Sequence, residues 1–127
     1  MKRRVIIILA VLAFIAGVGG VCEAAGHAAS RRYTESLEAV MEDFEAGDWE
    51  GAEDGASRLF ARWEEECGLF QTWMRHTDTD AVTHALRALR ASLSERDRLS
   101  VLLYYGECLE NFSHLHHRDA FTLKNIL

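Results

Sequence analysis

An uncharged, largely apolar run near the N-terminus constrains this chain more than any other feature. It covers residues 5–21 and follows Lys2, Arg3 and Arg4. As an α-helix it would be about 26 Å long, close to the ~30 Å hydrocarbon core of a bilayer. A helix that is apolar on every side is difficult to bury in a small domain. The sequence therefore predicts that this segment enters a membrane, with its basic flank in the cytoplasm and the rest of the chain exported.

Two interpretations of this segment remain open. The run is longer than the ~7–15 residues typical of a signal-peptide core. This length favours an uncleaved signal anchor that spans residues 1–22. Small residues follow at Ala24, Ala25 and Gly26, where a signal peptidase could cut. The expected location is the cell membrane, with a single pass and an extracytoplasmic C-terminal domain; a cleaved form would be secreted.

Composition narrows the rest of the chain to one helical domain. The 127 residues contain no proline and carry a net charge of −6, with 20 acidic and 14 basic residues. Without the three basic residues of the flank, the remainder has a net charge of −9. Such a balance disfavours nucleic acid as a partner, because phosphate binding needs a basic surface. The hydrophobic content of 49% is too high for a disordered chain.

Apolar residues recur at helical spacing after an expected linker at residues 23–32. Short connections between such helices favour antiparallel neighbours. We therefore expect an all-α fold, in which an N-terminal transmembrane or signal-anchor helix precedes an antiparallel bundle of about four helices over residues 33–127. The apolar positions of the first bundle helix are Tyr33, Leu37, Val40, Met41 and Phe44. Those of the third are Val82, Ala85, Leu86, Leu89 and Leu93. Those of the fourth are Leu99, Leu102, Leu103, Gly106, Leu109, Phe112 and Leu115.

Two short motifs resemble those of a known family. Residues 73–82 read W-M-R-H-T-D-T-D-A-V and the chain ends F-T-L-K-N-I-L. Together with the anchor, they resemble the bacterial domain-of-unknown-function family numbered 4363, which consists of small membrane-anchored helical proteins. The matching motif residues are Trp73, His76, Asp78, Asp80 and Val82, followed by Leu123, Asn125, Ile126 and Leu127.

The resemblance would cover nearly the whole chain, although its motifs are short. It implies a membrane-anchored helical protein of Gram-positive type bacteria, with no established activity, in the neighbourhood of YetF-like membrane proteins. This sequence departs from the family pattern in its cysteines and in the glycines of its second helix.

Histidine and aspartate suggest one candidate metal site. On a helix His76, Asp80 and His84 would share a face, and imidazole with carboxylate suits zinc or a similar ion. A structural interpretation competes with it. Asp78 or Asp80 could cap the third helix by accepting a backbone N–H, with His76 preceding that cap.

A second histidine cluster and two cysteines leave further alternatives. His114, His116 and His117 could bind a metal or titrate near pH 6.5, or they could simply end the fourth helix. Cys67 and Cys108 could form a disulfide in an exported domain, or each could be a small buried hydrophobe.

No nucleophile elbow or glycine-rich phosphate loop is present. We therefore expect a non-enzymatic accessory or interaction module of the bacterial envelope, without a cofactor. Its expected partners are the membrane, another envelope or membrane protein, and a second copy of itself. The alternatives are a metal- or pH-sensing envelope protein that uses the His and Asp clusters, and a small metal-dependent hydrolase.

Overall fold

The computed structural model describes residues 1–72 and 74–115, and these residues are almost entirely helical. Four α-helices follow one another along the chain: α1 (Lys2–Glu45), α2 (Trp49–Phe70), α3 (His76–Ser94) and α4 (Arg98–Ser113). No strand occurs within the described residues. The prediction of an all-α fold, with one long apolar N-terminal helix followed by packed helices, is confirmed.

The helices form a closed square in which each one packs against its two neighbours. α1 packs on α2 and α4, and α3 packs on α2 and α4, while α1 and α3 lie on one diagonal and α2 and α4 on the other. Three-residue turns connect α1 to α2 and α3 to α4, so these neighbours run antiparallel. Gly47 and Arg96 adopt positive φ angles of 80° and 56° in these two turns. α4 runs antiparallel to α1, because Ser30 of α1 donates to the carbonyl of Phe112 near the end of α4, while Arg98 at the start of α4 lies over the ring of Phe44 near the end of α1.

Residues 23–32 are helical, so the expected linker is not a break in the structure. α1 continues through this stretch as a single helix of 44 residues. The alanines of the stretch favour a helix, and no proline interrupts it. Gly26, Ala29 and Ser30 are already buried, and the Ser30 hydroxyl donates to the carbonyl of Phe112 in α4. The apolar N-terminal segment and the first bundle helix are therefore two parts of one element.

An aromatic cluster forms the centre of the bundle. Tyr33 of α1 lies 5.6 Å from the ring of Trp63 and 5.3 Å from that of Phe112, measured between centroids. Trp63 stacks on Phe70 at 5.4 Å. Tyr33, Trp63 and Phe112 are each at most 1% exposed. Because these rings come from α1, α2 and α4, the cluster joins three of the four helices.

Hydrogen bonds satisfy the polar atoms of the two buried rings that carry them. The Tyr33 hydroxyl donates to Glu66 Oε2 at 2.6 Å. Trp63 Nε1 donates to Thr83 Oγ1 at 2.9 Å, which links the cluster to α3. Thr83 Oγ1 in turn donates to the carbonyl of Thr79. A buried N–H or O–H without such an acceptor would destabilise the fold, so these bonds make the cluster compatible with burial.

Replacing Thr83 by valine should destabilise the bundle by about 1–3 kcal/mol, because the buried indole N–H of Trp63 loses its acceptor at nearly constant side-chain volume. Denaturant unfolding followed by Trp fluorescence would measure the change. Thr77→Val is the matched control, since Thr77 lies exposed on the same helix. Equal effects of the two substitutions would contradict the role of Thr83.

Candidate functional site

The first predicted site is distributed along the outer side of α3. α3 begins at His76, and His76, Asp80 and His84 are all exposed on successive turns. Their spacing covers about 12 Å of helix, whereas zinc ligands lie about 2 Å from one ion. Within residues 1–72 and 74–115, no group of three or more His, Cys, Asp or Glu side chains is placed to hold a metal ion. The structure therefore does not assemble the predicted three-residue metal site.

The helix cap also differs from the structural alternative. Arg75 is the N-cap of α3 and makes no side-chain capping bond, so neither Asp78 nor Asp80 is the cap. Asp78 lies in the first turn, where a carboxylate is favoured by the partial positive charge of the helix N-terminus.

Several motif residues lie outside the described part of the chain. These are Trp73 and the closing motif with Asn125, as well as His116 and His117 of the second histidine cluster. His114, the remaining member of that cluster, is the C-cap of α4.

The structure brings one residue of each predicted cluster to a common cleft. Asp78 of α3 and His114 at the end of α4 line a cleft of about 370 Å³ together with Glu107, Glu110 and Asn111. Sequence alone could not place them together, because their proximity depends on α4 returning along α3. An acidic cleft of this kind favours a cationic group. Metal or pH sensing by these clusters stays a prediction.

The cysteines are free thiols in the structure. A disulfide between Cys67 and Cys108 needs Cα atoms about 4.4–6.8 Å apart. The two residues lie on the diagonal pair α2 and α4, which have no Cα atoms within 8 Å of each other. The disulfide alternative is therefore wrong for this arrangement of helices.

Cys108 is 1% exposed, and its burial raises the pKa of the thiol to about 12. The pKa of Asp97, at the start of α4, is shifted in the opposite direction. Hydrogen bonds from the hydroxyl and the backbone N–H of Ser100 lower the pKa of its carboxyl group.

The outer face of α4 is apolar and exposed. Leu99, Leu102 and Leu103 belong to the apolar pattern of this helix, but they are 78%, 49% and 59% exposed. Gly106 lies one turn further on and has open space around its Cα. We call these four residues the leucine face. α4 instead buries a second apolar series on its opposite side, formed by Val101, Cys108, Phe112 and, just beyond the helix, Leu115.

The leucine face could have been recognised from the sequence by one sign. α4 has apolar residues on two sides, whereas a bundle helix needs only one apolar stripe. Apart from the N-terminal segment, only one other large hydrophobic side chain of the described residues is strongly exposed, namely Leu69. A continuous apolar patch on an otherwise polar surface marks an interaction site.

Alkylation at pH 8 should modify Cys67 and leave Cys108 unmodified in the folded protein. A shift of the pKa from 9.0 to about 12 reduces the thiolate fraction about a thousandfold, and burial also blocks access. Peptide mass mapping after treatment with iodoacetamide, with and without urea, would measure the modification of each cysteine. Cys67 serves as the control in the same sample, because it is only half-buried. Equal modification of both cysteines without urea would contradict the buried position of Cys108.

The comparison with protein families gives one match. The family model of DUF4363, a domain of unknown function, matches residues 27–126. The matched region begins close to the first buried residues of α1 and includes all of α2, α3 and α4. No curated protein and no solved structure matches the chain. Because the family model covers most of the sequence, this chain belongs to the DUF4363 family.

Proposed function

We propose that this protein is a membrane-tethered, non-enzymatic helical module that presents its bundle to another protein of the bacterial envelope. One observation carries the proposal. α1 is a single helix whose N-terminal part is apolar and exposed and whose C-terminal part lies in the bundle core. The two parts therefore act as anchor and scaffold without a hinge between them.

The N-terminal part of α1 has the properties of a membrane span. Its most apolar window of 18 residues has a mean hydropathy of 2.9, and none of that window is buried in the protein. Each exposed Å² of apolar surface costs about 25 cal/mol in water, so a bilayer would stabilise this segment strongly. Lys2, Arg3 and Arg4 would then remain in the cytoplasm.

The continuous helix would hold the bundle close to the membrane. Four residues separate the end of the apolar run at Val21 from the first buried residue, Gly26, which lies about 7.5 Å further along the helix. Cleavage by a signal peptidase at the small residues between them would require α1 to unwind beside the bundle. This continuity supports the uncleaved anchor over the secreted form.

The leucine face on α4 is the surface that would meet the partner. Its residues follow the i, i+3, i+4, i+7 spacing of a helix ridge, and Gly106 leaves room for a close helix–helix approach. Glu110, exposed one turn beyond Gly106, continues the same side of α4. The proposed occupant is therefore an amphipathic helix of an envelope protein, with apolar residues against the leucines and a basic residue against Glu110.

Charge and orientation disfavour a second copy of this chain as the occupant. Two copies anchored in one membrane would have parallel α4 helices. Face-to-face pairing of the leucine faces would then place Glu110 of one copy against Glu110 of the other. Like charges in contact are destabilising, whereas a basic partner residue would stabilise the same contact.

The anchor should keep the full-length chain in the membrane. We expect the protein in the carbonate-resistant membrane fraction with an intact mass that includes residues 1–25. In intact cells a membrane-impermeant maleimide should label Cys67, because the bundle would lie outside the cytoplasm. A soluble protein that begins near Gly26 would contradict the anchor, and labelling only after lysis would contradict the orientation.

A photoreactive phenylalanine analogue at Leu103 should form a cross-link to a different envelope protein in living cells. Mass mapping should locate the cross-link in a helix that has a basic residue within one or two turns. A charge reversal, Glu110→Lys, should reduce its yield about tenfold, since it replaces an attraction by a repulsion.

The matched control places the same analogue at Leu69, which is 62% exposed but isolated on α2. That position should give no specific cross-link. A cross-link from position 103 to a second copy, or to residues 116–127 of the same chain, would contradict the proposed occupant. Neither outcome would affect the test of the anchor.

A further inference from the structure

We propose that the cleft between α2 and α3 binds an anionic group, a phosphate or a carboxylate, through Arg87 and Arg90. The cleft has a volume of about 300 Å³ and lies in the half of the bundle farther from the N-terminal segment. The proposal goes beyond the proposed function, because partner docking uses α4 and this cleft uses α2 and α3. Arg87, Arg90 and Ser94 line it from α3, and Glu53 and Ser57 line it from α2.

Contact with one aromatic ring positions the two arginines. The guanidinium carbon of Arg90 lies 4.7 Å from the centroid of the Phe60 ring, and that of Arg87 lies 5.9 Å from the same centroid. A cation on the face of an aromatic ring is held by electrostatic attraction. Because a guanidinium group carries its donors in a rigid planar fork, holding the group beside the ring limits where those donors can meet an anion.

The positive charges of the two arginines are not neutralised by a neighbouring carboxylate of the described residues. Two guanidinium groups that share one ring lie no more than about 11 Å apart and repel each other. Within the described ranges, neither Arg87 nor Arg90 has a carboxylate within 4.0 Å, although the chain is acidic overall. An anion bound between them would replace this repulsion with two attractions.

Two serine hydroxyls at the cleft can provide further donors. Elsewhere in the described helices, Ser36, Ser92 and Ser113 donate their hydroxyls to backbone carbonyls three or four residues earlier. Ser57 and Ser94 have no such bond, so their hydroxyls can turn toward a ligand. Serine hydroxyls and arginine forks together match the several acceptor oxygens of a phosphate or carboxylate group.

Glu53 determines how strongly the cleft favours a negative charge. Its carboxylate lines the same cleft and opposes any anion there. The two arginines still outweigh it by one positive charge. Removing the charge of Glu53 should therefore strengthen anion binding, which is a gain that partial unfolding could not produce.

The test titrates the full chain, in an uncharged maltoside detergent, with inorganic phosphate or with acetate. Two-dimensional ¹H–¹⁵N NMR would follow the Nε–H groups of the arginines, with sodium chloride at equal ionic strength as reference. We expect saturable shifts at Arg87 and Arg90. Saturation by phosphate alone identifies a phosphate group as the ligand, and saturation by both anions identifies the chemistry they share.

Three variants give matched comparisons. Arg90→Gln should weaken the apparent Kd about three- to tenfold, and Glu53→Gln should strengthen it by a similar factor. Arg58→Gln makes the same change of charge on the exposed side of α2, outside the cleft, and should leave the Kd unchanged. Shifts that do not saturate, or that Arg58→Gln reduces as much as Arg90→Gln does, would overturn the proposal.

Discussion

The buried contact of Tyr33 with Trp63 and Phe112 is the interaction on which the rest of this structure depends. It joins α1 to α2 and α4, and the bond from the Trp63 indole to Thr83 adds α3. Large aromatic rings contribute much of the apolar area in a core of this size. The polar atoms of Tyr33 and Trp63 keep a hydrogen bond when they are buried, because Glu66 and Thr83 accept from them. The cluster thereby fixes which neighbours each helix has.

Tyr33 also connects this core to the N-terminal half of α1. The helix that carries Tyr33 continues without a break into the apolar segment. A flexible linker would let the bundle turn freely relative to this segment, whereas a continuous helix holds it in one direction. This continuity supports the proposed role as a tethered module, in which the leucine face would have a fixed orientation relative to the proposed anchor.

Three surface features lie on different parts of the bundle, and α4 contributes to two of them. The leucine face belongs to α4, the arginine cleft to α2 and α3, and the acidic cleft to the ends of α3 and α4. Each α-helix of a square bundle has only part of its circumference in the core, so the remainder is free to vary. In this chain, that freedom supplies one apolar and two oppositely charged surfaces on a single small scaffold.

The sequence by itself determined the all-α class, the apolar first segment and most of the core, because helical periodicity and the absence of proline are local properties. It also supported the family membership through the His76 to Val82 motif. It failed where the answer depended on neighbours. The expected linker proved helical, since burial of Gly26 and Ala29 stabilises a stretch that local composition left undecided.

Only the tertiary structure decided which of the two apolar sides of α4 is buried, because both have helical spacing and only packing against α1 and α3 distinguishes Leu103 from Val101. The same holds for Cys67 and Cys108, whose separation follows from the diagonal positions of their helices. The proximity of side chains distant in sequence, such as Asp78 and His114 at one cleft or Arg90 and the Phe60 ring, depends on the order of helices around the square. That order is set by the summed packing of all four helices, which no local pattern encodes.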